Sequence, residues 1–250
     1  MKIATFNVNS VRARLPNLEA WLAAAQPDVV CLQEIKCESE LFPPIAGYHA
    51  LVHGQKSYNG VAILSKQPAE LVSNSLNADD PQARYMEARL NGITLINIYA
   101  PNGNPLGTEK FPYKLDWLAR LTQRAKELMA AEVPFLITGD YNIIPEEQDC
   151  YSPAAWTDDA LFQPESRAAY RRLKNLGLYD AFRALHPNVQ EYTFWDYQAG
   201  AWQRNNGIRI DHALLSPKLA DRLVSCSIDK APRGEDKASD HTPLIVEIKP

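Results

Sequence analysis

A chain of 250 residues is long enough for one large α/β domain or for two fused layers, and a hydrophobic content of 46% supports a full core. The formal net charge of −4 argues against a protein whose whole surface is basic. It does not exclude an enzyme that acts on nucleic acid, because metal-binding carboxylates lower the total charge while a local basic rim binds phosphates.

The cysteines and the hydropathy pattern bear on the cellular compartment. The four cysteines have no zinc-type spacing and form no CxxC pair: Cys31, Cys37, Cys150 and Cys226. We therefore expect reduced thiols in the cytosol. The first residues resemble a strand rather than the apolar segment of a signal peptide, and no apolar run approaches the roughly 18 residues of a membrane span. We expect a soluble, cytoplasmic protein that does not enter a membrane.

The chain opens with a strand, a helix and a second strand. Apolar residues among small and polar ones over 3–8 predict the first strand. Apolar residues then recur at helical spacing over 15–25. The continuous apolar run 28–34 is typical of a strand buried on both faces. The two strands end in Asn7 and Glu34, whose side chains can coordinate an ion.

Short antiparallel strands occupy the middle of the chain. They are predicted at 48–52, 60–64, 84–90 and 93–100. Asn91-Gly92, between the last two, is a strong hairpin signal. This part of the chain is therefore not a repeating βαβ series. Tyr99 stands where the last of these strands meets a polar loop.

A long amphipathic helix follows, predicted over 108–131 with a stripe of leucines. Its basic side chains are interpreted as a solvated face: Lys114, Arg120, Arg124 and Lys126. After a long loop over 145–165, a second helix is predicted over about 165–175. Further strands are predicted at 134–138, 193–197, 207–215, 222–228 and 244–248. Many strands and few long helices predict two sheets packed face to face with helices outside, as one α+β domain over residues 1–250.

The segment Gly139-Asp140-Tyr141-Asn142 follows the strand predicted at 134–138. Asp140 and Asn142 are two residues apart, so on an extended backbone both side chains face the same way. In an α/β sheet the space beyond a strand end is usually a ligand crevice. Taken alone, the segment is equally compatible with an Asx turn that leaves a strand.

Polar side chains of one chemical kind stand at the predicted strand ends. They are Asn7, Glu34, Tyr99, Asp140, Asn142, Asp211, Asp240 and His241. Each one alone has a structural explanation, such as a turn cap or a surface pair. Together, hard oxygen ligands with one histidine suit Mg²⁺ or Mn²⁺ better than zinc. Without P-loop glycines or a nucleophilic Ser or Cys arrangement, hydrolysis of a phosphodiester by an activated water fits these groups.

Six motifs in order carry a resemblance that runs over essentially the whole chain. They are Phe6-Asn7-Val8-Asn9, Leu32-Gln33-Glu34-Ile35-Lys36, Asn97-Ile98-Tyr99-Ala100-Pro101-Asn102, Gly139-Asp140-Tyr141-Asn142, Arg209-Ile210-Asp211-His212 and Ser239-Asp240-His241. The chain resembles the exonuclease III family of abasic-site (AP) endonucleases, within the DNase I-like endonuclease/exonuclease/phosphatase superfamily. The resemblance implies an α+β fold: a four-layered α/β/β/α sandwich of two packed mixed β-sheets flanked by helices.

The resemblance also implies roles for the site residues. The implied metal-side residues are Asn7, Glu34, Asp140, Asn142 and Asp240, with Glu34 as the principal ligand. The implied catalytic residues are Tyr99, Asp140, Asn142, Asp211 and His241. Asp140 would activate or orient the attacking water, and His241 would bind the phosphate, held in its tautomer by Asp211. Whether Asp140 or His241 is the general base is left open by the sequence.

Family members recognise an abasic nucleotide that is flipped out of the duplex into an apolar pocket. By position, the pocket candidates are Phe194, Trp202 and Ile210, with a plain core aromatic as the alternative for Trp202. The candidates for phosphate contacts are Lys36, Lys56, Asn102 and Arg209, with a solvated charge or a turn as the alternative for each. Two residues depart from the family pattern: Tyr141 stands where Phe is usual, and Ile208 stands where some relatives carry a bulky aromatic.

The resemblance implies a DNA-repair enzyme that depends on Mg²⁺, with Mn²⁺ as the alternative metal. It would cut double-stranded DNA 5′ to abasic sites, clear blocked 3′ ends and act as a 3′→5′ exonuclease. We expect a monomer in the cytoplasm, associated with the nucleoid when it acts on DNA. The alternatives are a superfamily phosphatase or RNA deadenylase, and a catalytically silent relative that binds RNA or protein. Loss of Glu34, Asp140 or His241 would favour the silent relative, and all three are present.

Overall fold

The computed structural model describes residues 1–250, which form twelve strands and five α-helices. The strands are β1 (Lys2–Asn7), β2 (Val29–Gln33), β3 (His49–His53), β4 (Val61–Ser65), β5 (Glu70–Ser73), β6 (Tyr85–Leu90), β7 (Ile93–Tyr99), β8 (Phe135–Asp140), β9 (Tyr179–Asp180), β10 (Asp211–Leu215), β11 (Leu223–Ile228) and β12 (Leu244–Ile248). The helices are α1 (Leu15–Ala25), α2 (Lys110–Ala130), α3 (Pro164–Lys174), α4 (Ala181–Leu185) and α5 (Pro217–Ala220).

The strands form two six-stranded mixed sheets. The first has the order β11-β12-β1-β2-β4-β3 and the second the order β5-β6-β7-β8-β10-β9. Each sheet contains one parallel pair, β1 with β2 and β7 with β8, and all other neighbours are antiparallel. The sequence-based expectation of two packed mixed sheets is confirmed.

Alternate residues of the central strands pack into two different apolar cores, because successive side chains on a strand point to opposite faces of the sheet. Ile3 and Val29 point inward and pack against Leu136 of the second sheet. Their neighbours Ala4 and Val30 point outward and pack under α1. The strands are therefore buried on both faces, which explains their continuous apolar sequences.

Helices close the two outer faces and complete the α/β/β/α sandwich. On the first sheet, α1 buries Leu18, Trp21 and Leu22. On the second, α2 and α3 bury apolar residues that include Leu121 and Tyr170. A fully buried leucine of this kind contributes about 2 kcal/mol through apolar burial. None of the helices combines the length and the apolar character that a membrane crossing requires.

Two helix interpretations need correction. Lys114 was interpreted as part of the solvated face of α2, but its side chain is fully buried, and that interpretation is wrong. Arg124, assigned to the same face, makes a 2.7 Å ion pair with the buried Glu87. Lys114 stands four residues before Leu118 and seven before Leu121, so helical spacing places it on the same buried face as the leucine stripe.

One predicted strand, over 193–197, is wrong. Phe194 makes only isolated bridges, to Ile208 and to His241. The Thr193 hydroxyl oxygen instead accepts hydrogen bonds from the backbone N–H groups of Ile210 and Asp211, both at 3.1 Å. A side chain thus takes the acceptor role that a strand's carbonyl would have, which is typical of threonine in irregular segments.

The two parallel pairs determine where the functional residues meet. In parallel strands the carboxyl ends lie at the same edge, so Asn7 lies beside Gln33, which Glu34 follows, and Tyr99 lies beside Asp140. Asp211 then pairs with Asp140 across the antiparallel neighbour. The polar strand ends of both sheets therefore meet at one edge of the sandwich.

Gly139 lies inside β8, since the strand continues to Asp140, beyond the predicted end at residue 138. It has a φ of +143°, and a Cβ at this position would lie 2.0 Å from the carbonyl oxygen of Ile98 on β7. The close approach of β7 to β8 beside Asp140 therefore requires glycine.

We expect Gly139→Ala to destabilise the fold by about 3 kcal/mol or more, because the added methyl overlaps backbone that cannot move freely. The measurement is the free energy of unfolding by urea denaturation. Gly92→Ala is the matched control: Gly92 has a φ of +75° with nothing within 4 Å of the added Cβ. That control should lose only about 1 kcal/mol, from the backbone conformation alone. Equal losses in the two variants would contradict the steric explanation.

Candidate active site

Three metal-binding side chains meet at the shared edge of the two sheets. One ligand atom from each of Glu34, Asp140 and His241 lies within 4.8 Å of the others. Glu34 follows β2, Asp140 ends β8 and His241 precedes β12, so the cluster draws on both sheets. The two carboxylates of this cluster are hard oxygen ligands of the kind that a divalent cation such as Mg²⁺ prefers.

Asn7 links the two carboxylates. Its amide nitrogen donates to Glu34 Oε1 at 2.8 Å and to Asp140 Oδ2 at 3.0 Å. Lys36 Nζ lies 2.9 Å from the other oxygen of Glu34. Burial raises the pKa of Glu34, but Lys36 and Asn7 outweigh it, and the net shift is downward. Glu34 is therefore an anion at neutral pH and remains available to a cation.

His241 is held between two carboxylates. Its Nδ1 lies 2.9 Å from Asp211 Oδ2, and its Nε2 lies 3.7 Å from Asp140 Oδ2. Burial alone lowers the pKa of His241, but the charge and hydrogen bond of Asp211, and then the charge of Asp140, raise it to about 10. Nδ1 therefore carries the proton toward Asp211, and His241 is a cationic donor at neutral pH.

Asp140 is buried, and burial raises its pKa to about 7. His241 opposes this shift, whereas the negative charge of Asp211 adds to it. A carboxyl group whose pKa lies near neutrality can both accept and release a proton under ordinary conditions. Among the acidic residues of the cluster, Asp140 is the one suited to proton transfer.

Hydrogen bonds from its backbone N–H and from both polar atoms of its side chain hold Asn142 in place. Its backbone N–H donates to Asp140 Oδ1 at 2.9 Å, and its side-chain nitrogen donates to the Ala100 carbonyl at 2.9 Å. Its side-chain oxygen accepts from Asn102 Nδ2 at 3.1 Å. Its φ is +49°, a left-handed conformation that is uncommon outside glycine.

Other residues around the site share this backbone conformation. The left-handed non-glycine residues of the site are Asn9, Ser10, Glu34, Lys36 and Asn142. Each such residue costs about 1 kcal/mol or more, so the surrounding hydrogen bonds must offset the strain. Their concentration at one edge marks this edge as the functional part of the molecule.

Tyr99 lies at the end of β7 beside the two carboxylates. The guanidinium of Arg84 lies 4.7 Å from the centre of its ring. Burial, and then the negative charges of Glu34 and Asp140, raise the pKa of Tyr99 well above its usual value. Its hydroxyl therefore stays protonated and is a hydrogen-bond donor.

Asp240 is not one of the three clustered residues, and the metal-side role that the resemblance implies for it stays a prediction. Its Oδ1 accepts from Asn9 Nδ2 at 3.0 Å. Asn9 was not singled out from the sequence, although Asn7 and Asn9 alternate at the end of β1. Its carbonyl accepts from Arg14 at 2.7 Å, and its side-chain oxygen accepts from Lys36 at 2.5 Å. Asn9 therefore joins four segments around the site.

The three pocket candidates do not lie together. The Phe194 ring packs edge-on against His241, with ring centres 5.0 Å apart. Ile210 is 2% exposed and belongs to the same apolar cluster as Phe194. Trp202 belongs to a different cluster, with its ring centre 4.8 Å from that of Trp195. Phe194 and Ile210 therefore pack in one apolar cluster, and Trp202 packs in another.

The two residues that depart from the family pattern are both buried. The Tyr141 hydroxyl donates to the Ile137 carbonyl at 2.9 Å, so the extra oxygen has the partner that burial requires. Ile208 is fully buried beside Ile210. Neither residue disturbs the arrangement of the metal-binding cluster.

The candidates for phosphate contacts divide into two groups. Lys36 and Asn102 keep solvent-accessible side chains beside Glu34 and Asn142, and Lys56 is exposed. Arg209 is fully buried and pairs with Asp149 at 2.7 Å and with Asp180 at 3.0 Å. The hypothesis that Arg209 contacts a phosphate is wrong, because two buried carboxylates already satisfy its guanidinium.

The Arg209 ion pairs form a structural cluster behind the site. Burial raises the pKa values of Asp149 and Asp180, but Arg209 outweighs it and both are lowered. His212 lies in the same region, with its Nε2 3.0 Å from the Ile143 carbonyl. Burial, and then the charge of Arg209, lower the pKa of His212 to about 4, so His212 is neutral in the folded protein.

Comparison with known proteins gives the family context. Residues 4–241 match the model of the Endonuclease/Exonuclease/phosphatase family. The chain is 39% identical over 267 aligned positions to exodeoxyribonuclease III of Haemophilus influenzae, with 100% of both sequences covered. An AP endonuclease from Archaeoglobus fulgidus superimposes with a TM-score of 0.96 at 39% identity and 100% coverage of both chains. The 3′ phosphatase NExo from Neisseria, bound to a product DNA hairpin, gives a TM-score of 0.96 at 39% identity, covering 100% of this chain and 99% of that one.

We expect Asp211→Asn to slow the hydrolysis of DNA roughly 10- to 100-fold, because the amide no longer holds His241 protonated and oriented. The measurement is single-turnover hydrolysis of duplex DNA from its 3′ ends with a divalent metal. Asp221→Asn, an exposed residue after α5, is the control and should match the wild type. Wild-type hydrolysis by the Asp211 variant would exclude this role.

His212 should make the fold less stable in mild acid. Its folded pKa of about 4 lies below the 6.5 of an unfolded histidine, so the unfolded chain binds the proton first. We expect the free energy of unfolding to fall by about 2 kcal/mol between pH 7.5 and pH 5 from this residue. Urea denaturation at both pH values measures it. His212→Gln should remove this part of the pH dependence, whereas the exposed His49→Gln should retain it; identical pH profiles in both variants would contradict the assignment.

Proposed function

The chain belongs to the Endonuclease/Exonuclease/phosphatase family, and on that premise we propose that it cleaves double-stranded DNA 5′ to abasic sites and clears blocked 3′ ends. It is a DNA-repair nuclease of the exodeoxyribonuclease III type, a phosphodiester hydrolase. The observation that carries the proposal is the meeting of Glu34, Asp140 and the Asp211-oriented His241 at one edge. That meeting argues against a catalytically silent relative.

A divalent metal would be held by Glu34 and Asp140, with Asn7 fixing the distance between their carboxylates. The donor set fits Mg²⁺, and Mn²⁺ accepts the same ligands. Such an ion neutralises charge on the phosphate. Asp240 is not among the ligands in this proposal, because it is committed to Asn9.

Asp140 accepts the proton of the attacking water. His241 is protonated by its carboxylate neighbours, so it donates from Nε2 to a phosphate oxygen and is not the base. The water oxygen bonds to phosphorus, and the bond from phosphorus to the 3′ oxygen breaks. The proton of the water passes to Asp140, and the leaving 3′ oxygen takes a proton from solvent to become a 3′ hydroxyl. Asn142 keeps Asp140 Oδ1 oriented through its backbone N–H. The protonated hydroxyl of Tyr99 donates to a second phosphate oxygen.

Recognition of the damage uses the apolar wall beside His241. A nucleotide without a base presents only its sugar, which the Phe194 ring can cover while the phosphate lies at the catalytic cluster. Lys36 and Asn102, on the rim, contact the flanking phosphates. We place Trp202, with Arg233 5.5 Å from its ring centre, at the outer rim and not in the pocket.

We further propose that residues 1–250 act as a single catalytic domain and as a monomer. Both sheets supply side chains to one site, so no second copy is needed to complete it. Since relatives such as the Haemophilus influenzae enzyme are exodeoxyribonucleases, we place the protein with the DNA in the cytoplasm, at the nucleoid.

A duplex with a single tetrahydrofuran abasic analogue tests the proposal. We expect cleavage 5′ to the analogue with Mg²⁺, none with EDTA, and no internal cleavage of the undamaged duplex. Asp140→Asn should lower the rate at least about 100-fold, because the amide cannot accept the proton. Asp116→Asn, on the exposed face of α2, is the control and should retain the wild-type rate. An abasic strand left intact by the wild type with Mg²⁺ would refute the abasic-site activity.

A further inference from the structure

Lys114 is a fully buried lysine beside the active site, which is rare for this residue type without a specific partner. It projects from α2, and its Nζ donates to the carbonyl oxygens of Asn102, at 3.0 Å, and of Asn142. Both acceptors are backbone atoms of loops that leave the catalytic edge. No part of the water-activating scheme above uses this side chain.

The two carbonyls belong to loops that follow the parallel pair of the second sheet. Asn102 follows β7 and Asn142 follows β8. Their side chains are also hydrogen-bonded to each other at 3.1 Å. Asn102, Asn142 and Lys114 therefore form a closed ring of hydrogen bonds. The side-chain amides of the two asparagines join the two loops on the solvent side, and Lys114 joins the loop backbones from the buried side.

The ring fixes Asn142 in its strained conformation. The N–H and side-chain nitrogen of Asn142 are held by Asp140 and by the Ala100 carbonyl. Its own carbonyl is held by Lys114. Without the lysine, a buried carbonyl would lose its hydrogen-bond partner, and the loop would relax to recover one.

The fold keeps a space for the lysine stem. Gly103 has a φ of +91°, and a Cβ there would lie 2.8 Å from Lys114 Cδ and 3.1 Å from the Ala160 Cβ. Burial lowers the pKa of Lys114 to about 7, against the charges of Asp140 and Asp159. The ammonium has three N–H groups and the neutral amine has two, so either state can donate to both carbonyls.

We propose that Lys114 is a positioning residue that sets Asn142 against Asp140. The inference rests on the proposed function in one respect, namely that Asp140 and Asn142 act on the attacking water. A displacement of about 1 Å at a catalytic group costs roughly 100-fold in rate. Lys114 would therefore affect the chemical step without touching DNA.

The test compares Lys114→Met, which keeps the apolar stem without donors, and Lys114→Gln, whose amide keeps two N–H groups on a shorter stem. We expect kcat on the abasic duplex with Mg²⁺ to fall about 100-fold in the Met variant and about 10-fold in the Gln variant. KM should stay within about 3-fold of the wild type, since ground-state binding of DNA is unchanged. Lys126→Met, exposed on the same helix, is the control and should match the wild type.

Rates are expressed per folded molecule, with the folded fraction measured by near-ultraviolet circular dichroism. A wild-type kcat in either variant would overturn the proposal, and so would a raised KM at unchanged kcat, which would indicate a direct DNA contact. If the Met variant does not fold, the Gln variant alone decides. The ratio of variant to wild-type kcat is also measured for 3′-end hydrolysis of undamaged duplex, which separates this inference from the abasic-site proposal. A loss of kcat on that substrate supports the positioning role of Lys114 even if the wild type does not cleave the abasic analogue.

Discussion

Two carboxylates, the partly buried Glu34 and the buried Asp140, must stay together at one edge of the sandwich, and the rest of the site depends on how their repulsion is offset. In a buried environment two like charges at this separation cost several kcal/mol unless donors or cations compensate them. Asn7 donates to both, Lys36 pairs with Glu34, and His241 faces Asp140. A divalent cation would add to the same compensation, which agrees with the cluster of carboxylates at this edge.

The same requirement explains why the site is stiff. Donors that offset buried charge act only at short range, so the loops that carry them must be held in place. The left-handed residues Asn9, Glu34 and Asn142 stand at these points and are kept there by hydrogen bonds. Beneath them, Lys114 occupies the space left by Gly103. The strain at the edge is thus offset by partners that come from other elements of the fold.

Sequence patterns predicted the two-sheet sandwich and most of the residues at its functional edge. Strand ends and the apolar runs of buried strands are local features, so they can be recognised in the sequence. The predictions were wrong where packing between distant segments determines whether a side chain is buried. Lys114 was interpreted as solvated because lysine is usually exposed, although its helix position lies on the buried face. Arg209 was interpreted as a phosphate contact because its neighbours Ile210 and Asp211 belong to the site. No local pattern shows that Arg209 meets Asp149, sixty residues away, in the core.

Strand β10 separates two charge clusters of opposite kind. Asp211 points toward the catalytic edge and raises the pKa of His241, whereas the next residue, His212, points to the other face and has its own pKa lowered by burial and by Arg209. The alternation of side chains along one strand therefore gives two buried histidines opposite protonation states. The cluster of Arg209 is satisfied by its own carboxylates, whereas the cluster of His241 retains excess negative charge. Only the second is suited to bind a cation and act on a phosphate.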